Sequence, residues 1–197
     1  MDVDWSADGL DEALDQARTG DPRGFDLLYQ VYGPAVVGYL RARRVTDPDD
    51  LANEVFVRAF RAIHTVRGDT DRFRSWLFGI AHNAAVDDLR RRGRRPYEVV
   101  LDDHSPVVGG NVETEAILRL DEAYVTSLLA QLSPDQRDVI LLRVIGELSI
   151  SQTATVLDKT YEGVKALQRR AIGSLRRMLD TNDRPAPSKV PLSNIAV

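Results

Sequence analysis

Asn83, Asp87, Arg90 and Arg94 are spaced four, three and four residues apart. On a helix of about 3.6 residues per turn that spacing places all of them on one face. An amide can read the edge of a nucleic-acid base, and guanidinium groups hold phosphates. The surrounding stretch, FRSWLFGIAHNAAVDDLRRRGRR at residues 73–95, ends with Arg90, Arg91, Arg92, Arg94 and Arg95. Before it lies a polar loop, residues 64–72, with one glycine. Such a loop beside an amide-bearing, arginine-ended helix could hold an unstacked base. For Phe73 and Trp76 core packing is favoured over base stacking. Leu77, Ile80, Ala81, Ala84 and Leu89 are expected to face inward.

A second cationic segment follows Ser149. A short helix to Leu157, a turn at Asp158-Lys159-Thr160 and a longer helix from Tyr161 to about Leu179 match a helix-turn-helix. Val164, Leu167, Ala171, Leu175 and Met178 form its apolar stripe, and Lys165, Arg169, Arg170 and Arg177 its cationic side. A plain helical hairpin with a basic exposed face would share this pattern.

A third segment, DPDDLANEVFVRAFRAI at 47–63, sets an apolar face against Asp49, Asp50, Asn53, Glu54 and Arg58. Glu54 and Arg58 are placed for an ion pair one turn apart. The polar side reads either as a solvated face or as a docking face for another protein's helix.

Catalytic chemistry finds little support. His64, His82 and His104 share no ligand spacing, there is no cysteine, and no glycine-rich phosphate loop occurs. Asp87-Asp88 and Asp102-Asp103 are adjacent pairs, which point apart on a helix. Neither an enzyme, a metal site nor a cofactor is expected. No apolar run approaches membrane-spanning length, and the acidic N-terminus lacks the order of a secretory signal. A cytoplasmic protein with no membrane contact is expected.

The elements that must position these residues are helical. Asp21-Pro22 and Asp47-Pro48 each offer an N-cap followed by proline, and Ser133…Gln136 and Ser149…Gln152 are capping boxes. Apolar residues recur at three and four, and alternating strand patterns are rare. The expected fold is all-α, with two small helical domains at 10–95 and 119–180 joined by a flexible linker at 96–118. Prolines and a Gly-Gly pair mark that linker, whose valines at 99, 100, 107 and 108 could lie along a partner surface. Residues 181–197 are expected to be a disordered tail. The net charge is −4, so the two basic islands are concentrated in an acidic chain and attract polyanions locally.

In order, these segments resemble the sigma-70 family of bacterial RNA polymerase sigma factors, in its compact extracytoplasmic-function (ECF) subfamily. The resemblance spans roughly residues 10–180 and opens on Gly20-Asp21 with Phe25, Leu28, Tyr29 and Tyr32. It implies that Asp49, Asp50, Leu51, Asn53, Glu54 and Phe56 contact core RNA polymerase or shape that face. It implies that Asn83 reads or holds a base flipped from the non-template strand of the minus-ten element. Asp87, Arg90 and Arg91 would adjoin it on promoter DNA, and residues 65–72, ending at Arg72, would form the base pocket. Lys165, Ala166, Arg169 and Arg170 would face the minus-thirty-five element. The family commonly has Gln at the position of Asn53, Thr at Gly163, Arg at Leu167 and Ile at Thr153, so the helix-turn-helix is the less typical half. The function implied is an alternative sigma factor, commonly restrained by an anti-sigma factor. The rival is a helix-turn-helix regulator that binds duplex DNA without polymerase.

Overall fold

The computed structural model describes residues 7–93 and 124–182. Helix α1 spans Ala7–Arg18, α2 Pro22–Ala42, α3 Pro48–Ala62 and α4 Thr70–Gly93, with a 3-10 turn at Ile63–Thr65. After the intervening segment, α5 covers residues 124–130, α6 Pro134–Val144, α7 Ile150–Val156 and α8 Tyr161–Asn182. The described residues contain no strand. The linker expected at 96–118, its valines and the tail beyond residue 182 lie outside the described residues, as does the start of the domain expected from residue 119.

The helix starts follow the capping signals. The Asp21 carboxylate accepts from the Arg23 amide at 2.9 Å, and that of Asp47 from the Asp50 amide at 3.0 Å. Both capping boxes are closed. The Gln136 amide donates to Ser133 Oγ at 3.4 Å while Gln136 Oε1 accepts from the Ser133 amide at 3.3 Å. Ser149 and Gln152 repeat this at 3.2 and 2.7 Å. Each satisfies amides that a helix start leaves unpaired.

Leu14, Leu28, Val36, Tyr39, Val55, Phe73, Leu77 and Phe78 form the centre of one apolar core built by α1–α4. Gly24 lets α1 and α2 cross closely, since a methyl there would collide with the backbone of Ala13 and Ala17. A smaller core of Val139, Ala154 and Val164, with Leu157 and Leu167 against it, holds α6, α7 and α8 together.

The two halves are in contact. Leu141, Leu142 and Leu148, from α6 and the turn after it, belong to the same buried cluster as the α1–α4 core. Arg43 at the end of α2 pairs with Asp138 on α6, both buried. Arg74 reaches Glu147 at 3.3 Å, and Gln152 Nε2 donates to the Asp71 carbonyl at 3.1 Å.

One inward expectation fails. Leu89 is 39% exposed. It lies twelve residues past Leu77, about 120° further round the helix. Asp88, eleven past Leu77, takes the inward line instead and accepts from the Thr46 amide at 3.2 Å.

Candidate nucleic-acid interface

On α4, Arg72, Trp76, Asn83, Asp87 and Arg90 fall within about 60° of one another around the helix axis. Asn83, Asp87, Arg90 and Arg91 are exposed along this side. A cavity of about 220 Å³ opens at its start, lined by Thr65, Val66, Arg67, Arg72 and Trp76. Phe73 and Trp76 therefore divide. Phe73 is fully buried, edge-on to Tyr32 at 5.5 Å, whereas Trp76 rests 6.1 Å from Phe73 with part of its ring at the cavity. Sequence periodicity could not separate them, because which aromatic meets the loop depends on where the loop folds.

A second concavity, about 330 Å³, is lined by Arg58, Ala84, Asp87, Arg90 and Arg91. Arg58 of α3 thus joins the arginines of α4. Its sequence signal was only a polar face on α3. The clustered arginines are not equivalent. Arg90 stands 3.7 Å from Asp87 on the exposed side. Arg92 turns away, pairing with Asp88 at 2.8 Å and donating to the carbonyl of Arg44, a turn residue at φ +57°. Arg92 is thus fastened to the α2–α3 turn. Arg94 and Arg95 lie outside the described residues.

On α3, Asp49, Asp50, Asn53 and Glu54 are exposed, whereas Leu51 and Phe56 are buried in the core. The last two can shape the α3 face but not meet a partner directly. Asp49 lies 3.8 Å from Arg41, Glu54 pairs with Arg58 at 3.1 Å, and Tyr29 donates to Asn53 Oδ1 at 3.1 Å. Asp50 has no ion-pair partner among the described residues.

The α6–α8 half presents α8. Lys165, Arg169 and Arg170 are exposed and Ala166 is half-buried. Lys165, Gln168, Arg169, Gly173 and Arg176, with Ile150 and Ile172, line a shallow groove of about 420 Å³. Lys165 sits over the Tyr161 ring at 5.8 Å and 3.7 Å from Glu162. The Gly163 amide donates to Thr160 Oγ1 at 3.1 Å, so Thr160 caps α8. Leu167 packs on the small core, off the exposed side, and Thr153 is buried with its hydroxyl donating to the Ser149 carbonyl at 2.9 Å.

Of the histidines, His64 is exposed, His82 is half-buried and His104 lies outside the described residues. His82 Nδ1 is 2.9 Å from the Tyr39 hydroxyl, deep between α2 and α4. Burial, helped by nearby Arg43, pushes the His82 imidazole down to about 4, and burial pushes the Tyr39 phenol up. These groups belong to the interior. No helix among the described residues is long and apolar enough to cross a membrane.

Comparison with known proteins finds a match in each half. Sigma-70 region 2 matches residues 28–95, and Sigma-70, region 4 matches residues 128–177. The RNA polymerase sigma-H factor of Pseudomonas aeruginosa is 35% identical over 158 residues, covering 74% of this chain and 81% of that one. The ECF RNA polymerase sigma-E factor of Haemophilus influenzae is 30% identical over 186 residues, covering 89% and 96%. The fold is similar to that of CnrH, solved in complex with the cytosolic domain of CnrY, with TM-score 0.66 and 30% identity over 88% of this chain and 99% of that chain. CnrH is an RNA polymerase sigma factor of Cupriavidus metallidurans. A Bartonella quintana sigma factor RpoE, solved with the anti-sigma factor NepR, shares the fold at TM-score 0.61 and 21% identity, covering 81% of this chain and 98% of that chain. With both regions matched in order along one chain, the protein belongs to the sigma-70 family of RNA polymerase sigma factors, in its extracytoplasmic-function subfamily.

Proposed function

We propose that this sigma factor docks on core RNA polymerase through the exposed acidic side of α3, reads an unstacked minus-ten base at the α4 cavity, and takes the minus-thirty-five duplex on α8. It is a transcription initiation factor with no chemistry of its own. Asp49, Asp50, Asn53 and Glu54 supply the docking contacts, and Leu51 and Phe56 hold that face in place. Asn83 offers amide donors and an acceptor to a base, Arg72 bounds the cavity, and Arg90 and Arg91 anchor phosphates beside Asp87. Lys165, Ala166, Arg169 and Arg170 face the second element. Unstacking a base costs a few kcal/mol, so a pocket that offsets the cost only for the right base couples strand opening to recognition. Phosphate contacts add affinity that falls with salt.

One observation carries this reading: a cavity at the start of α4 and the exposed Asn83, Asp87, Arg90 and Arg91 further along it, with half-buried Gly79 and Ile80 between them, stand on the same four-helix unit as the acidic side of α3. A stand-alone helix-turn-helix regulator is not favoured, because it gives α1–α4 no task. The domains are 10–95 and 119–180, with 96–118 as their linker. The setting is the cytoplasm, where core polymerase and promoter DNA meet, and an anti-sigma partner competes for the same faces. Anti-sigma complexes of related folds support the last point.

Replacing Asn83 with Ala is expected to lower promoter opening and leave polymerase binding intact. Run-off transcription and co-purification with core polymerase test this together. Loss of both, or of neither, overturns the assignment.

A further inference from the structure

Helix α1 lines neither α4 concavity, yet it holds the loop that walls the first of them. Asp11 Oδ1 accepts from the backbone amide of Thr70 at 2.8 Å, across fifty-nine residues of sequence. Arg18 donates to the carbonyl of Gly68. Asp11 and Arg18 are seven residues apart and so share one face of α1. Their two targets flank Asp69, whose carboxylate accepts from the Arg72 amide at 3.0 Å and caps the start of α4. The Thr70 amide is one of the donors a helix start leaves unpaired, and Asp11 supplies its partner.

The loop is tight where α1 grips it. Gly68 has φ +104°, a conformation that favours glycine. A methyl on Gly68 would stand 3.3 Å from Arg72 Cβ, so the chain at Gly68 folds directly over the side chain that bounds the cavity. Arg18 is itself held by Asp15 at 2.6 Å. Two charged side chains thus fix a carbonyl and an amide on either side of the α4 cap. Together they hold the backbone of residues 68–70 beside the cavity wall.

We propose that Asp11 and Arg18 are positioning residues that set the base preference of the minus-ten cavity through the backbone of residues 68–70, without touching DNA themselves. This rests on the reading of the cavity as a base pocket. A charge-assisted hydrogen bond holds a geometry more firmly than a neutral one. Its loss would let the loop sample other shapes, and discrimination between bases would fall before affinity for the phosphates does.

The test uses the full chain assembled with core polymerase and a single-stranded DNA library randomised across the minus-ten positions, with the bound fraction sequenced. The unsubstituted protein is expected to enrich particular bases. Asp11→Ala and Arg18→Ala should each reduce the enrichment ratio at one position by roughly 5- to 10-fold, about what one lost hydrogen bond is worth. Enrichment elsewhere and total DNA bound should change little. Asp11→Asn keeps an acceptor oxygen for the Thr70 amide without the charge and should recover part of the enrichment lost in Asp11→Ala. Unchanged enrichment in both alanine variants overturns the proposal. So does an even loss at every position accompanied by a lower melting temperature, which would mark a merely structural role. If Asp11→Ala fails to assemble with polymerase, Arg18→Ala decides by the same criteria. Arg72→Ala and Trp76→Ala, on the cavity wall, are the control for the underlying reading. If neither alters base preference, the base pocket itself is wrong. If they do and the α1 variants do not, only the positioning role is lost.

Discussion

Arg43 and Asp138 form a buried ion pair between residues 95 apart in sequence, joining the end of α2 to the middle of α6. Burial pushes the Asp138 carboxyl above its ordinary value, and the Arg43 guanidinium opposes that shift. Leu141, Leu142 and Leu148, from the same part of the chain as Asp138, belong to the α1–α4 core. In this arrangement the α1–α4 half and the α6–α8 half are packed together.

Removing one partner should therefore be felt by both halves. Asp138→Ala leaves a buried guanidinium uncompensated, and we expect a loss of about 3–5 kcal/mol. Arg43→Met combined with Asp138→Leu should recover much of it, because apolar replacements end the desolvation penalty. Urea unfolding followed by circular dichroism measures both. A loss below about 1 kcal/mol in the single variant would mean that the two halves are not held together at this point.

The acidic side of α3 should govern assembly with polymerase. Asp50→Ala with Glu54→Ala is expected to weaken core polymerase binding by roughly tenfold, the scale of a few interface hot spots. The Asp47 cap that starts α3 uses the Asp50 backbone, so the helix should survive the change. Fluorescence anisotropy against core polymerase gives the number, and unchanged affinity would remove this face from the interface.

His82 makes stability depend on pH. Its imidazole is pushed down to about 4 by burial, from an ordinary 6.5. Between those values the unfolded chain binds the proton and the folded one does not. The neutral form therefore stabilises the fold above pH 6.5, and that contribution is lost as pH falls from 6.5 towards 4, up to about 3 kcal/mol. In the tautomer protonated at Nε2, the Tyr39 hydroxyl donates to Nδ1. Protonation would remove that acceptor. The difference in unfolding free energy between the protein and His82→Gln, measured from pH 7.5 to 4.5, isolates this group from Asp138. A difference that stays constant with pH would refute it.

Two neighbouring arginines should behave differently. Arg91 is exposed beside the second concavity, and Arg91→Ala should lower the salt slope of promoter binding by about 0.7 to 0.9, one phosphate contact's share. Arg92 pairs with Asp88 and donates to Arg44. Arg92→Ala should instead reduce stability by up to about 1 kcal/mol and leave the salt slope alone. Equal slopes for the two variants would show that the sorting of arginines is wrong.

The sequence by itself determined what local chemistry controls. Asp21-Pro22, Asp47-Pro48 and the two Ser–Gln boxes start their helices where they stand, because a cap is an interaction within four residues. The Glu54–Arg58 pair and the exposure of Asn83, Asp87, Arg90 and Arg91 follow from helical periodicity alone. Only the tertiary structure decided that Arg92 is fastened to Arg44, that Trp76 meets the cavity while Phe73 is buried, and that Leu89 gives its inward place to Asp88. It also brought Asp11 to Thr70, Arg18 to Gly68 and Arg43 to Asp138. Each of these is a contact between residues at least forty apart or a choice forced by one. Periodicity assigns a residue to a side of its own helix, but the partner on that side is set by how the helices cross.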